Sequence, residues 1–456
     1  MDYQLILIKT FQMLLCLSLL VVLHEAGHFF FSKLFGVRVE KFFMFFDPKF
    51  HLFSTRDGWF TRLFPRFKSN ETEYGIGWIP LGGYVKIAGM VDESMDLEQL
   101  KQPAKPDEFR SQPVWKRFLI MVGGVLVNLL TAFVLYSAIM FTWGEDIVPM
   151  RNIKEGFVFN PQAQELGFNN GDIPVKVDGK DIKGYEPSLI RDFSNAQTVT
   201  VLRGGREVLI RMPEEGLDML EMLELNPPFF VPVALAEIDS VLPGTAAAKA
   251  GIVKGSRILA LDGAPVTYWS DFDSLMAKRE EHDIQLVIAK PGVSNPDTLS
   301  LTLDADMKMG VTRMPFEVEH ISYGLLASVP AGIVHGWDVL KGYVNDLKYV
   351  FTAKGAQSVG SFITIGSIFP AAWDWQRFWG LTAFISIILA VMNILPIPGL
   401  DGGHVVILMY EAITGKTPSD RAMTWLGYIG LGVLIALMTL AFGNDIIRWV
   451  LPHFMN

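Results

Sequence analysis

Apolar residues run almost unbroken through four stretches of the chain, about 5–31, 118–142, 377–398 and 425–442, each long enough to cross a bilayer as a helix. Lys9, Thr10 and Gln12 interrupt the first of them. Between the second and third the pattern shortens into β-runs divided by Gly, Asn and Asp, which predict strands and tight turns. Residues 321–352 carry apolar positions at helical spacing, cut by Pro330, His335, Asp338 and Lys341. An amphipathic helix lying at the outer membrane interface suits that pattern better than a fifth span.

The long region between the spans contains a repeat. Gly167, Gly171, Asp178 and Gly179 recur as Gly251, Gly255, Asp262 and Gly263, at one constant offset of 84 residues. Both copies read as helix end, glycine, tight turn, β-run and Asp-Gly turn. Two copies are too few for a solenoid, so tandem small domains are expected at 145–225 and 226–306. The chain then divides into a membrane half at 1–144, the two small domains, the amphipathic segment at 307–376 and a second membrane half at 377–456.

Composition agrees with a mixed protein. The 456 residues are 50% hydrophobic, too apolar for an ordinary soluble chain and too polar to be all membrane. A net charge of −9 argues against a nucleic-acid partner. Cys16 is the single cysteine, so no intramolecular disulfide can form. Lys33, Arg38, Lys41, Lys49, Arg56, Arg62, Arg66, Lys68, Lys116 and Arg117 crowd the loop between the first two spans. The positive-inside rule therefore expects that loop in the cytoplasm. The N-terminus, 143–376 and the C-terminus are then expected on the other side, a Gram-negative periplasm or its equivalent. Lys416 and Arg421 after the third span agree. A cleaved signal peptide is not expected, because Lys9 falls where a basic n-region should have ended and no A-x-A-like site follows.

Candidate chemistry starts at His24-Glu25-Ala26-Gly27-His28, at the inner end of the first span. On a helix this spacing stacks two imidazoles one turn apart on one face, with the glutamate beside any metal they share. Ionisable groups at a span centre cost about 2.5–3.5 kcal/mol on insertion scales, so they are kept for function or paired. The plain alternative is a pair of histidines capping an anchor helix. A catalytic zinc needs a third protein ligand and an open fourth position. After the third span, Pro396 and Pro398 break the helix and Gly399, Gly402 and Gly403 permit a tight path, so Asp401 can turn toward the histidines. His404 competes with it.

HEAGH in a first span with Asn393-x-x-Pro396-x-Pro398-x-Leu400-Asp401-Gly402 in a later one resembles the site-2 protease family of intramembrane zinc metalloproteases. The repeat, G-[hydrophobic]-x-x-G-[DS]-x-I-x-x-[hydrophobic]-[DN]-G, resembles PDZ domains of bacterial periplasmic proteases and points to the RseP group. The resemblance implies an α-helical membrane protein with four transmembrane helices, a membrane-dipping β-hairpin and two periplasmic PDZ-like α+β domains. It implies Zn²⁺ held by His24, His28 and Asp401, Glu25 as catalytic acid/base, and Asn393 holding substrate beside the metal. Gly75 to Lys86 resembles the family's hairpin with its IPLGGYVK signature, which brings in Gly82, Gly83 and Tyr84 as substrate contacts. Where the family usually shows G-P-x-x-N, this chain has Gly124-Val125-Leu126-Val127-Asn128, without the proline. Asn128 is then a polar contact to substrate or a residue that glues helices together.

The expected activity is hydrolysis of peptide bonds within transmembrane segments of single-span membrane proteins, in a bacterial inner membrane and near its cytoplasmic side. The resemblance further suggests an anti-sigma factor and remnant signal peptides as substrates, a stress-response role and an upstream protease acting first. A non-catalytic PDZ-type membrane chaperone or scaffold is the main alternative. A zinc transporter is a weaker one, since the four spans show no pseudo-symmetric repeat.

Overall fold

A computed structural model of the chain describes residues 3–66, 71–90, 103–186, 188–225, 228–277, 279, 281–304, 307–350, 352–417 and 419–451. Lys68 and the expected domain ends at 226 and 306 lie outside them. The chain forms two compact units, one from 1–144 and 322–456 and the other from 145–321.

The first unit is built on six long helices: α1 (Tyr3–Leu34), α2 (Val114–Thr142), α3 (Leu325–Val350), α4 (Trp375–Ile394), α5 (Asp401–Thr414) and α6 (Asp420–Asp445). Among the described residues, four segments are long and apolar enough to cross a membrane: Gln4–Leu34, Val114–Thr142, Trp375–Ile394 and Trp425–Arg448. The third stops at Ile394, four residues short of the apolar run, with Leu395 in an extended conformation. Pro396 disfavours a helical Leu395 and offers no N–H, and both effects end the helix there.

Helix α2 is the hub. Ile120, Gly124, Asn128, Ala132, Tyr136 and Met140, spaced every four residues, are all buried. Small residues in this stripe let neighbouring backbones come close, which is how helices associate where apolar burial offers no net drive. A Cβ on Gly27 would stand 2.3 Å from the Gly123 carbonyl oxygen, so α1 and α2 touch backbone to backbone. On the other side Gly332 of α3 lies against Ser137, where a Cβ would be 2.3 Å from its backbone nitrogen. Ser328, Gly332 and Gly336 share that face of α3 at four-residue spacing and are all buried.

The polar interruption of α1 also has its explanation. Lys9 donates to the Ser367 carbonyl at 2.8 Å and Gln12 to the Pro370 carbonyl at 3.0 Å. Both side chains tie the helix to the segment before α4, at the end of the short helix Phe362–Ser367 and just beyond it.

Four strands follow α1: β1 (Val39–Phe46), β2 (Phe53–Ser54), β3 (Glu73–Ile76) and β4 (Ile79–Ile87). They form one sheet in the order β2-β3-β1-β4, with β3 parallel and β4 antiparallel to β1. The expected hairpin over Gly75–Lys86 is thereby corrected: β3 and β4 do not pair, because β1 lies between them. The link at Gly77 and Trp78 crosses the end of β1. Gly77 passes so close that a Cβ would sit 2.2 Å from the Phe46 carbonyl oxygen. Pairing of this kind depends on β1, some thirty residues upstream, and a local pattern does not reveal it.

The second unit repeats one topology. Strands β7 (Ile173–Val177), β8 (Lys180–Asp181), β9 (Thr198–Arg203) and β10 (Arg206–Arg211) form a sheet in the order β10-β9-β7-β8. Strands β13 (Arg257–Leu261), β14 (Ala264–Pro265), β15 (Asp283–Ala289) and β16 (Asp297–Thr302) pair in the matching order β14-β13-β15-β16. Each half adds a short pair, β6 (Phe157–Phe159) with β11 (Phe230–Pro232), and β12 (Ile238–Val241) with β17 (Val311–Arg313). The closing strands β11 and β17 lie past the ends expected at 225 and 306.

All eight repeat residues have positive φ, including Asp178 and Asp262 at 47° each. Glycine bears this conformation without cost and aspartate tolerates it better than most residues; here each aspartate is also held from a neighbouring strand. Asp178 Oδ1 accepts from the Thr198 backbone N–H and Asp262 Oδ1 from that of Gln285, each at 2.8 Å. The first half is cored by phenylalanines, among them Phe157, Phe159, Phe168 and Phe193, and the second by Ile258, Leu261, Leu286 and Ile288. The unit's outermost strands, β5 (Glu145–Ile147) and β18 (Glu319–Ile321), pair with each other, so the chain enters and leaves it side by side.

Candidate metal centre

The HEAGH pentad lies within α1, where one helical turn brings His24 and His28 to the same face with their ring centroids 4.8 Å apart. Helix α2 supports both rings. A Cβ on Gly124 would stand 2.5 Å from His28 Nε2 and 2.6 Å from His24 Cε1, so the imidazoles occupy the space its missing side chain leaves. His28 Nδ1 lies 2.8 Å from the Ile120 carbonyl oxygen. That bond requires the proton on Nδ1 and leaves the Nε2 lone pair available.

The third member arrives from the helix break. Asp401 opens α5 after the Pro396–Gly399 turn, in which Gly399 has φ 96°. Gly402 and Gly403 fit beneath the turn so closely that a Cβ on either would fall within 2.7 Å of backbone atoms of residues 394–397. Asp401 Oδ2 then stands 3.2 Å from His24 Nε2 and 3.3 Å from His28 Nε2, and the two Nε2 atoms are 3.3 Å apart.

This triangle fits zinc. Ligand distances of about 2.0–2.1 Å in a tetrahedron separate the donor atoms by about 3.3–3.4 Å. Asp401 Oδ2 is buried and takes part in no hydrogen bond, although it is within ion-pair distance of both rings. Three lone-pair atoms so spaced repel unless a cation lies among them. Among the described residues, His24, His28 and Asp401 are the set whose ligand atoms converge; His404 lines the same cavity outside that set.

The cavity measures about 810 Å³. Besides the three ligand candidates it is lined by Glu25, Asn128, Asn393, Gly82, Gly83 and Tyr84, so every expected site residue meets there. Asn393 Nδ2 is 3.4 Å from His24 Nε2. Asn128 is fully buried behind His24, with Nδ2 3.2 Å from His24 Nδ1. Strand β4, the end strand of its sheet, forms one wall. Its two glycines have packing reasons: a Cβ on Gly82 would strike the Phe46 ring and one on Gly83 would stand 2.8 Å from the Phe43 carbonyl oxygen. Tyr84 stacks on Phe43 and donates its hydroxyl to Asp47 Oδ1 at 2.9 Å. The supporting roles of Gly124 and Ile120 went unnoticed in the sequence. The four-residue spacing 120, 124, 128 was the available signal.

A two-histidine, one-carboxylate cluster that can hold a metal ion, its histidines on a helix long and apolar enough to cross a membrane, defines a class of membrane metalloprotein. The chain belongs to peptidase family M50, whose family model matches residues 12–437. It is similar to the regulator of sigma-E protease RseP of Escherichia coli, at 28% identity over 95% of this chain and 97% of that protein. It is equally similar, at 28% identity over 96% of this chain and 98% of the relative, to a protein of Ralstonia nicotianae named "putative zinc metalloprotease". A regulator of sigma E protease from Salmonella typhi matches at 27% over 95% of this chain and 97% of that protein. The chain is a zinc metalloprotease of the intramembrane type.

Proposed function

We propose that the cavity hydrolyses peptide bonds inside transmembrane segments of single-span membrane proteins, with His24, His28 and Asp401 as zinc ligands and Glu25 as general acid/base. The observation that carries this reading is the triangle of Nε2, Nε2 and Oδ2 atoms with sides of 3.2–3.3 Å. Zinc held there supplies Lewis acidity toward the scissile carbonyl and acidifies water. Glu25 accepts a proton from the attacking water and delivers it to the leaving amide nitrogen. Asn393 holds the substrate backbone beside the ligands.

A helical segment keeps its carbonyls bonded and shielded, so it must unwind before attack. Strand β4 receives the unwound segment by strand addition, with Gly82, Gly83 and Tyr84 along the contact. Substrates with low helix propensity near the cut site should therefore be cleaved faster. Equal rates for Ala-rich and Gly/Pro-containing segments would count against this step.

The basic loop between α1 and α2 supports a cytoplasmic position for it, in a bacterial inner membrane, with both chain ends and the second unit on the periplasmic side. The two halves of the second unit are PDZ-like modules that screen out substrates with bulky outer domains, so that cleavage follows trimming by another protease. The family resemblance suggests an anti-sigma factor and remnant signal peptides as the substrate classes. Because β5 and β18 pair, a short linker can replace the whole second unit. That deletion should permit cleavage of untrimmed substrate, whereas loss of all activity would favour substrate capture instead.

The direct test is zinc content and cleavage in purified protein. Wild type should hold one zinc, Asp401→Ala should lose it, and Glu25→Gln should keep it while cleavage falls by at least about 10²-fold. Full activity in Glu25→Gln would leave only a scaffold role.

A further inference from the structure

Asn128 has no exposed surface, and its polar atoms are arranged in a way that one physical requirement corrects. Its Oδ1 is buried with no hydrogen-bond partner, while Nδ2 faces His24 Nδ1 at 3.2 Å. An amide N–H donating to Nδ1 would force the His24 proton onto Nε2. That proton would point into the triangle formed with His28 Nε2 and Asp401 Oδ2, where a metal ligand needs a lone pair. Exchanging the amide oxygen and nitrogen resolves the conflict, since the two are distinguished only by their network. Oδ1 then accepts from His24 Nδ1–H, and Nε2 is freed. The amide NH₂ takes the unpartnered position, beside a cavity large enough for water to serve it.

The arrangement matches the support of His28. There the Nδ1 partner is the Ile120 carbonyl, also on α2 and eight residues earlier, with Gly124 between the two supports and against both rings. Asn128 is itself held in place: its backbone carbonyl accepts the Ser386 hydroxyl of α4 at 2.7 Å.

We propose that Asn128 is a positioning residue that accepts the Nδ1–H of His24 through Oδ1, fixing the tautomer and ring orientation in which Nε2 binds zinc. This rests on the ligand assignment above. It gives Asn128 an outer-shell role in place of substrate contact or helix packing alone. Outer-shell partners of ligating histidines are worth about 10–100-fold in metal affinity.

The test is zinc affinity of the detergent-solubilised full chain, measured by competition with a chromogenic chelator, for wild type, Asn128→Leu and Asn128→Asp. Leucine keeps the branched shape and removes the acceptor; aspartate keeps the acceptor and removes the NH₂. Asn128→Leu should bind zinc about 10–100-fold more weakly, and Asn128→Asp should match or exceed wild type. A role in helix packing alone predicts that thermal stability of the zinc-free protein falls in the leucine variant while affinity of the folded fraction is unchanged. That result overturns the inference, as does an aspartate variant as weak as the leucine one. Absence of zinc from the wild type would overturn the ligand assignment itself, a separate outcome.

Discussion

Helices α2 and α6 are alike in length and apolarity, yet their surroundings are opposite. One whole stripe of α2 is buried against α1, α3 and α4. Most of α6 is exposed, including Tyr428, Ile429, Leu431, Leu434, Ile435 and Met438. Among its described residues the close approaches are few. Gly430 lies over Pro398, where a Cβ would stand 1.7 Å from the carbonyl oxygen. At its far end Asn444 donates to the Ala356 and Val359 carbonyls, and buried Asp445 accepts from the backbone N–H and hydroxyl groups of Ser361 and Thr364.

The contrast shows what selects partners among apolar helices. Lipid tails are as apolar as leucine, so hydrophobicity does not distinguish a buried span from a lipid-facing one. The distinguishing residues are small or polar. On α2 they run in sequence along one face, Gly124, Asn128 and Ala132, and the His24–His28–Asp401 cluster lies against that face. On α6, Gly427, Gly432 and Gly443 meet nothing within 4 Å, and the close approaches among the described residues are at Gly430 and the polar end.

Substitutions can break this contrast, beginning with the largest effect. Gly124→Val places methyl groups in the space of both imidazoles, and zinc retention against a chelator should fall by at least about 10²-fold with loss of cleavage. Gly430→Val presses on the Pro398 carbonyl three residues before Asp401, and cleavage should fall roughly tenfold, about 1.4 kcal/mol, in a protein that still folds. Unchanged activity there would mean α6 does not support the turn. Asp445→Ala leaves the Ser361 and Thr364 donors without an acceptor and should cost about 1–3 kcal/mol in thermal stability, with zinc content unchanged. Ile435→Ala, on the exposed face of α6, should stay within about 0.5 kcal/mol of wild type. A larger loss would show that this face is packed against something in the membrane.

The metal cluster was legible because its parts are local: a four-residue histidine spacing on one helix, and a proline-glycine break that can aim only nearby side chains. The repeat was legible for the same reason, since each aspartate or glycine answers to its own φ. The sheet beside the cavity was not, because β1 inserts between β3 and β4 from more than twenty-five residues away. The closing strands β11 and β17 were missed because three-residue strands carry no readable alternation. The segment expected as an amphipathic helix forms α3 packed along α2, and its signal was the small residues Ser328, Gly332 and Gly336 rather than the width of its apolar face.

From the sequence alone came the membrane spans, the two imidazoles at one helical turn, the broken helix that frees Asp401 and the doubled turn motif. Each follows from backbone chemistry within a few residues. Only the tertiary structure decided that Gly124 makes room for both rings, and that His24 meets Asn128 and His28 meets a backbone carbonyl. Those outcomes depend on the distance and rotation between helices far apart in the chain, which packing sets and local pattern does not encode.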